Sequence, residues 1–158
     1  MSIRIDRVRR TDLAAIAEIE RRCFSDPWSE QSFRDVLAHP RIYFACARDG
    51  GDGDRSGSQP VGYVVAWFAG GEGEIANLAV VPEDRGRGIG GLLLDAALES
   101  GRRDGTVATY LEVRCSNIRA RRLYESRGFV EVGRRRNYYR RPVEDAVILR
   151  RTEEESER

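Results

Sequence analysis

Apolar and polar residues alternate at the start of the chain, with Ile3, Ile5 and Val8 set against Arg4, Asp6 and Arg7, and this period of two predicts a strand over residues 3–9. The period then lengthens to that of a helix. Leu13, Ile16, Ile19 and Cys23 fall on one face, with Thr11 placed to cap the start and Ser25, Asp26 and Pro27 to end it. Ser29 is the next expected N-cap, for a short helix reaching about Ala38, and Trp28 stands before it at hydrophobic-staple spacing from Phe33. Trp28 closes that staple, walls a substrate groove, or does both. His39, ahead of Pro40 at the helix exit, reads as a solvated loop imidazole, because nothing nearby completes a triad.

Two apolar, aromatic-rich strands follow over residues 42–48 and 61–69, separated by the polar, glycine-rich insert 49–60, which reads as a mobile hairpin loop. Gly70 and Gly71 turn the chain into a third strand, residues 74–81, and such short connections imply an antiparallel meander. A helix follows with Ile89, Leu92, Leu93, Ala96 and Ala97 on its buried side, and the glycines at 101 and 105 are expected to stop it. The strand over 107–113 then returns parallel to the one before the helix, because a whole helix makes the crossover. Strands so placed are usually apolar on both faces, and Glu112 breaks that pattern. Its carboxylate either pairs with an arginine such as Arg114 or is held for chemistry. Ser116 or Asn117 caps a last short helix bearing Ala120, Leu123 and Tyr124, closed at Arg127 and Gly128, and residues 129–136 and 146–150 read as the final strands.

The order is therefore strand, two helices, a three-strand meander, helix, strand, helix and a strand pair, which is a mixed α/β layer structure. A length of 158 residues suits one domain, expected over 1–150, with an acidic, disordered tail over 151–158. Charged residues make up 34% of the chain but nearly cancel to +1, so no global field recruits nucleic acid or anionic lipid and neither is an expected partner. Three cysteines without a C-x-x-C pair, and one histidine, point to reduced thiols and no metal site. No window approaches a membrane span, and a cytoplasmic protein is expected.

The chemistry concentrates in residues 77–91, N-L-A-V-V-P-E-D-R-G-R-G-I-G-G, where an apolar strand feeds a turn in which six of the last seven residues are Gly or Arg, and a helix opens immediately after. Glycines let backbone approach a ligand closely, and the free N–H groups of a helix start, backed by its dipole, favour an anion. A P-loop needs Gly-Lys-Ser or Gly-Lys-Thr, and the chain contains no lysine. Gly86, Gly88 and Gly91 spell the dinucleotide fingerprint G-x-G-x-x-G, with Glu112 near the distance of its ribose acid. In that motif the first glycine follows the strand directly, whereas here Pro82, Glu83, Asp84 and Arg85 intervene. The third reading, Arg85-x-x-Gly88-x-Gly90, resembles the acyl-CoA pyrophosphate loop of the GNAT N-acetyltransferases.

The motifs D-P-W-S-E, L-E-V-R-x-S-N, L-Y-E-S-R-G-F and R-R-N-Y-Y extend that resemblance over the chain, apart from the insert and the tail, and they look like the branch of the family that acetylates the N-terminal alanine of a ribosomal protein. The resemblance implies a GNAT fold, a mixed, mostly antiparallel sheet of about seven strands with about four helices. It implies acetyl-CoA as co-substrate, its acetyl-pantetheine arm along Leu78, Ala79 and Val80 and its pyrophosphate at Arg85, Gly86, Arg87, Gly88, Ile89, Gly90 and Gly91, with Asn117 also in contact. Glu112 would be the general base, Tyr124 the general acid, and Trp28, Glu30, Tyr138 and Tyr139 would line the substrate groove. It also implies the N-terminus of the eighteenth small-subunit ribosomal protein as substrate, and a monomer or weak dimer. Gly86 departs from the family, where a basic side chain often stands.

The residue types suit the reaction on their own terms. An α-amine of pKa roughly 8 attacks a thioester only after losing a proton, which a carboxylate can take directly or through water. The developing oxyanion needs backbone N–H groups, expected where the strand at 77–81 bulges from its neighbour, and a phenol can protonate the departing thiolate. No covalent intermediate is required, so Cys115 reads as a small packed thiol. Two rival readings stay open: a GNAT enzyme acting on lysine or a small amine, and an RNA-binding module built on the interleaved arginines and tyrosines of residues 134–141.

Overall fold

Each change of hydrophobic period becomes a change of element in the computed structural model, which describes residues 2–50 and 58–153. The strands are β1 (Ile3–Arg7), β2 (Ile42–Asp49), β3 (Pro60–Ala69), β4 (Glu72–Val80), β5 (Ala108–Arg114), β6 (Val130–Tyr139) and β7 (Glu144–Thr152). The helices are α1 (Leu13–Cys23), α2 (Glu30–Ala38), α3 (Ile89–Arg103) and α4 (Ile118–Ser126). All seven strands form one sheet in the order β1-β2-β3-β4-β5-β7-β6, antiparallel throughout except at β4–β5. One apolar cluster joins α1 and α2 to one face, through Leu13, Ile16, Ile19, Phe33, Phe44, Tyr63 and Val65. The other face is covered by α3 and α4, through Leu93, Leu94, Ala97, Leu111, Val113 and Tyr124. The insert expected at 49–60 lies mostly outside the described residues, at 51–57, as do residues 154–158 of the expected tail. β7 itself runs to Thr152, two residues beyond the domain boundary that composition suggested.

Local signals account for most boundaries and explain the exceptions. Ser29 caps α2 by accepting the Ser32 N–H at 3.1 Å, and Trp28 meets Phe33 at 5.3 Å between centroids, so the staple is present. Thr11 does not cap α1: residues Arg10–Asp12 form a 3-10 turn, and Asp12 occupies the cap. The Asp12 carboxylate is spent on Arg48, which is 1% exposed and which it holds with two bonds of 2.7 and 2.8 Å. α3 ends at Arg103, within the stretch 101–105 expected to stop it, and Gly101 in its last turn lies under Phe68, where a Cβ would sit 2.4 Å from the ring. The turn comes at Gly105, where φ is +84°.

β5 corrects a premise about Glu112. Its burial alternates, with Leu111 and Val113 in the core and Tyr110, Glu112 and Arg114 half-exposed, so the strand is not apolar on both faces. Helices cover one face of the sheet here and leave the other partly open, so a charged side chain on that face breaks no pattern. Arg114 does not pair with Glu112 either. It reaches Glu144 at 3.2 Å, while Glu112 meets Arg135 at 2.5 Å.

Candidate active site

β4 and β5 share only three residue pairs, Glu72, Gly73 and Glu74 with Ala108, Thr109 and Tyr110, and then diverge. On its other side β4 skips Ala76: Ile75 pairs with Ala66 and Asn77 with Val65. A bulge bends a strand, and this one turns the second half of β4 away from β5, so Leu78, Ala79 and Val80 border an opening in the middle of the sheet. Past Glu74, β4 no longer pairs with β5, and the Leu78 N–H turns to the Asn77 side-chain oxygen at 3.2 Å.

The glycine-rich turn sits beyond the end of β4. Gly86 and Gly88 have φ of +84° and +80°, a region open to glycine and strained for other residues, and a Cβ on either would meet nothing within 4 Å. Gly88 is the N-cap of α3, and the first intrahelical bond is Leu92 N–H to Gly88 O at 3.1 Å, so Ile89, Gly90 and Gly91 are first-turn donors. Gly90 and Gly91 lie close to other side chains: added Cβ atoms would meet Leu123 at 3.3 Å and the end of the Arg127 guanidinium at 2.4 Å, so a larger residue at 91 would displace that arginine. These residues fit a diphosphate, with the backbone as the cradle. The two arginines serve mainly to shape it. Arg85 folds back to the Val80 carbonyl (3.2 Å) and the Cys23 sulfur (3.3 Å), and Arg87 joins Asp84 and Asp49. Arg127, held by Asp95, is the cation that the fold carries to the first turn of α3, and sequence reading missed it. Asn117 caps α4 by accepting the Ala120 N–H at 3.2 Å.

Glu112 and Tyr124 approach the opening from opposite faces. Tyr124 lies in the α3–α4 cluster, edge to face with Phe129, and burial pushes its phenol up to about 12, so it retains its proton at neutral pH. Glu112 lies on the open face beside Tyr138 and Tyr139, whose phenols are raised by burial and then by its charge. Tyr139 also feels Tyr124, which puts it within electrostatic reach of both. Glu112 Oε2 is buried and sits 2.5 Å from the Arg135 guanidinium, in an ion pair that holds the carboxylate beside the two tyrosines.

Two walls flank the open face. One is the α1–α2 connection with Trp28; the other is the β6–β7 end, where Tyr138 and Tyr139 pack edge to face at 5.0 Å and Tyr138 is 50% exposed. Arg114 bridges them, donating to Ser25 Oγ (3.3 Å), Arg140 O (2.7 Å) and Pro142 O (3.0 Å) while stacking on Tyr139. No local signal announces this role, because its partners lie 26 to 89 residues away. Glu30 stands at the start of α2 with its carboxylate on Arg34 at 3.2 Å.

A sheet opened at one parallel pair, with a glycine-rich helix start at its mouth, defines an acyl-CoA-dependent transferase, and the chain belongs to the Acetyltransferase (GNAT) family, whose model matches residues 13–129. Within the family it is 39% identical over 155 residues to the N-alpha-acetyltransferase RimI of Mycobacterium tuberculosis, covering 94% of this chain and 92% of that one. It is 37% identical over 141 residues to the [ribosomal protein bS18]-alanine N-acetyltransferase of Salmonella typhimurium, covering 88% and 90%. Among solved structures, the ribosomal-protein alanine N-acetyltransferase of Escherichia coli superposes with a TM-score of 0.83 at 31% identity, over 96% of this chain and 94% of that one. Among the described residues no helix is long and apolar enough to cross a membrane.

Proposed function

We propose that this enzyme transfers the acetyl group of acetyl-CoA to the free α-amino group of a protein N-terminus, with the N-terminal alanine of ribosomal protein bS18 as its substrate. The observation that carries the reading is the likeness to alanine N-acetyltransferases over nearly the whole of both chains. Bound acetyl-CoA supplies an activated thioester. First-turn N–H groups of Ile89, Gly90 and Gly91 hold its diphosphate, and the free side of β4 at Leu78, Ala79 and Val80 aligns the pantetheine arm. Backbone N–H groups beside the bulge meet the charge that develops on the carbonyl oxygen.

Trp28, Tyr138 and Tyr139 hold the first residues of an extended peptide, so that its amine enters beside Glu112. Glu112 takes the amine proton, directly or through one water, while Arg135 balances the carboxylate charge. Tyr124, still protonated, donates to the sulfur as it leaves. The RNA-binding alternative loses two of its cations, because Arg134 and Arg135 are paired with Glu131 and Glu112.

Mass spectrometry of a panel of N-terminal peptides incubated with the protein and acetyl-CoA tests the assignment. One added acetyl group per chain on the alanine-first ribosomal sequence is expected, with weaker labelling of sequences beginning with bulky residues. No labelling of any peptide would remove it.

A further inference from the structure

Outside the groups assigned above, one carboxylate is buried without a cationic partner. Glu20 of α1 is 2% exposed, and none of the described arginines pairs with it. Instead it accepts three neutral donors. Oε1 takes the Tyr63 hydroxyl of β3 and the Asn77 Nδ2 of β4 at 2.8 Å; Oε2 takes the Trp28 backbone N–H at 3.0 Å. Burial pushes the carboxyl up and these bonds pull it back, so the arrangement carries a standing desolvation cost. An apolar side chain in its place would leave three donors unpaired, so the carboxylate is tied to what those donors hold in position.

The three donors define what it holds. Asn77 follows the skipped residue Ala76, and its Oδ1 accepts the Leu78 N–H at 3.2 Å, so this side chain fixes the backbone at the edge of the opening. Its orientation is set by Glu20, since an amide donating Nδ2 to a carboxylate must present Oδ1 the other way. Trp28, held through its own N–H, is the near wall of the groove. One buried carboxylate therefore spans the acetyl side and the acceptor side of the same opening.

We infer that Glu20 is a positioning residue for acetyl transfer, orienting Asn77, and through it the Leu78 N–H at the β4 bulge, while fixing Trp28. The inference rests on the acetyl-transfer reading and goes beyond it by assigning a role to a side chain that touches neither substrate. Displacing groups at a reacting centre by about 1 Å costs on the order of a hundredfold in rate, so the loss belongs in kcat.

A swapped pair provides the test. Glu20→Gln turns an acceptor into a donor that faces Asn77 Nδ2, and Asn77→Asp sets two carboxylates against each other. In the double variant the amide introduced on α1 donates to the carboxylate introduced on β4, that carboxylate still accepts the Leu78 N–H, and the Tyr63 hydroxyl rotates to accept. Each single variant is expected to lose roughly tenfold to a hundredfold in kcat with acetyl-CoA Kd unchanged within about threefold, and the double to recover most of the loss. Rescue in kcat at constant cofactor affinity is not expected of a residue that only supports the fold. A double variant no faster than the slower single, or a Glu20→Gln variant with wild-type kcat, overturns the inference. If Glu20→Gln alone does not fold, Asn77→Asp against the double decides it. A wild-type protein that acetylates no amine removes both readings, whereas an active wild type with no rescue removes this one alone.

Discussion

The two ends of the opening are built in different ways. The cofactor end is contiguous in sequence: residues 77–91 supply the strand edge, the turn and the helix start, and most of its binding groups are backbone. The acceptor end is assembled from distant side chains, with Arg114 reaching Arg140 across 26 residues and Ser25 across 89. A family that keeps one co-substrate while varying the acceptor needs this division. The backbone cradle tolerates change around it, provided the glycines stay, while acceptor specificity rests on side chains that can be replaced individually.

Substitutions can break that contrast. The largest effect is expected at the reacting centre: Glu112→Gln should lower kcat by roughly 10² to 10⁴ at neutral pH, the usual worth of a general base. The defect should shrink as pH rises, because an α-amine of pKa roughly 8 then loses its proton unaided, and a rate ratio independent of pH would contradict the base assignment. At the cofactor end, Gly88→Val forces a β-branched residue to φ near +80°, strain on the order of 1–3 kcal/mol. Acetyl-CoA affinity by calorimetry should fall about tenfold, and an unchanged Kd would dissociate the cradle from the cofactor.

Smaller effects separate the walls from the cradle. Arg114→Met removes the bridge between the α1–α2 connection and the β6–β7 end. Its cation–π contact alone is worth about 1 kcal/mol, so peptide KM should rise about fivefold with acetyl-CoA Kd unchanged. A change in cofactor affinity instead would show that the two ends are not separable. Glu30→Ala should move peptide kcat/KM by less than about threefold, because its exposed pair with Arg34 already occupies the carboxylate. A larger loss with peptides basic at the second or third residue would give Glu30 a direct part in recognition.

The same contrast explains what the sequence revealed. Element order, the parallel β4–β5 crossover, the Ser29 cap and the Trp28–Phe33 staple all follow from period and local chemistry, and the structure contains each of them. Glu112 stood out for a reason that the fold corrects: β5 is buried on one face only, and the side chain is notable for its Arg135 ion pair and its tyrosine neighbours. Arg127 was invisible as a site residue, because nothing local distinguishes it from the chain's other arginines, and Arg114 stood out only as a possible partner of Glu112, which the structure gives to Arg135 instead. Glu20 carried a faint signal, a carboxylate one residue beyond Ile19 on an otherwise apolar face, but the identity of its partners required the bulge in β4.

The central claim, that this opening acts on protein N-termini, is tested most directly by competition between two peptides of one sequence. One carries a free N-terminus and an acetylated lysine; the other carries a blocked N-terminus and a free lysine. An α-amine titrates roughly two units below a lysine amine, so a single carboxylate deprotonates it more readily. The account predicts that the free N-terminus takes nearly all of the acetyl group at neutral pH. Preferential labelling of the lysine peptide would contradict it, leaving an acetyltransferase of this family with a different acceptor.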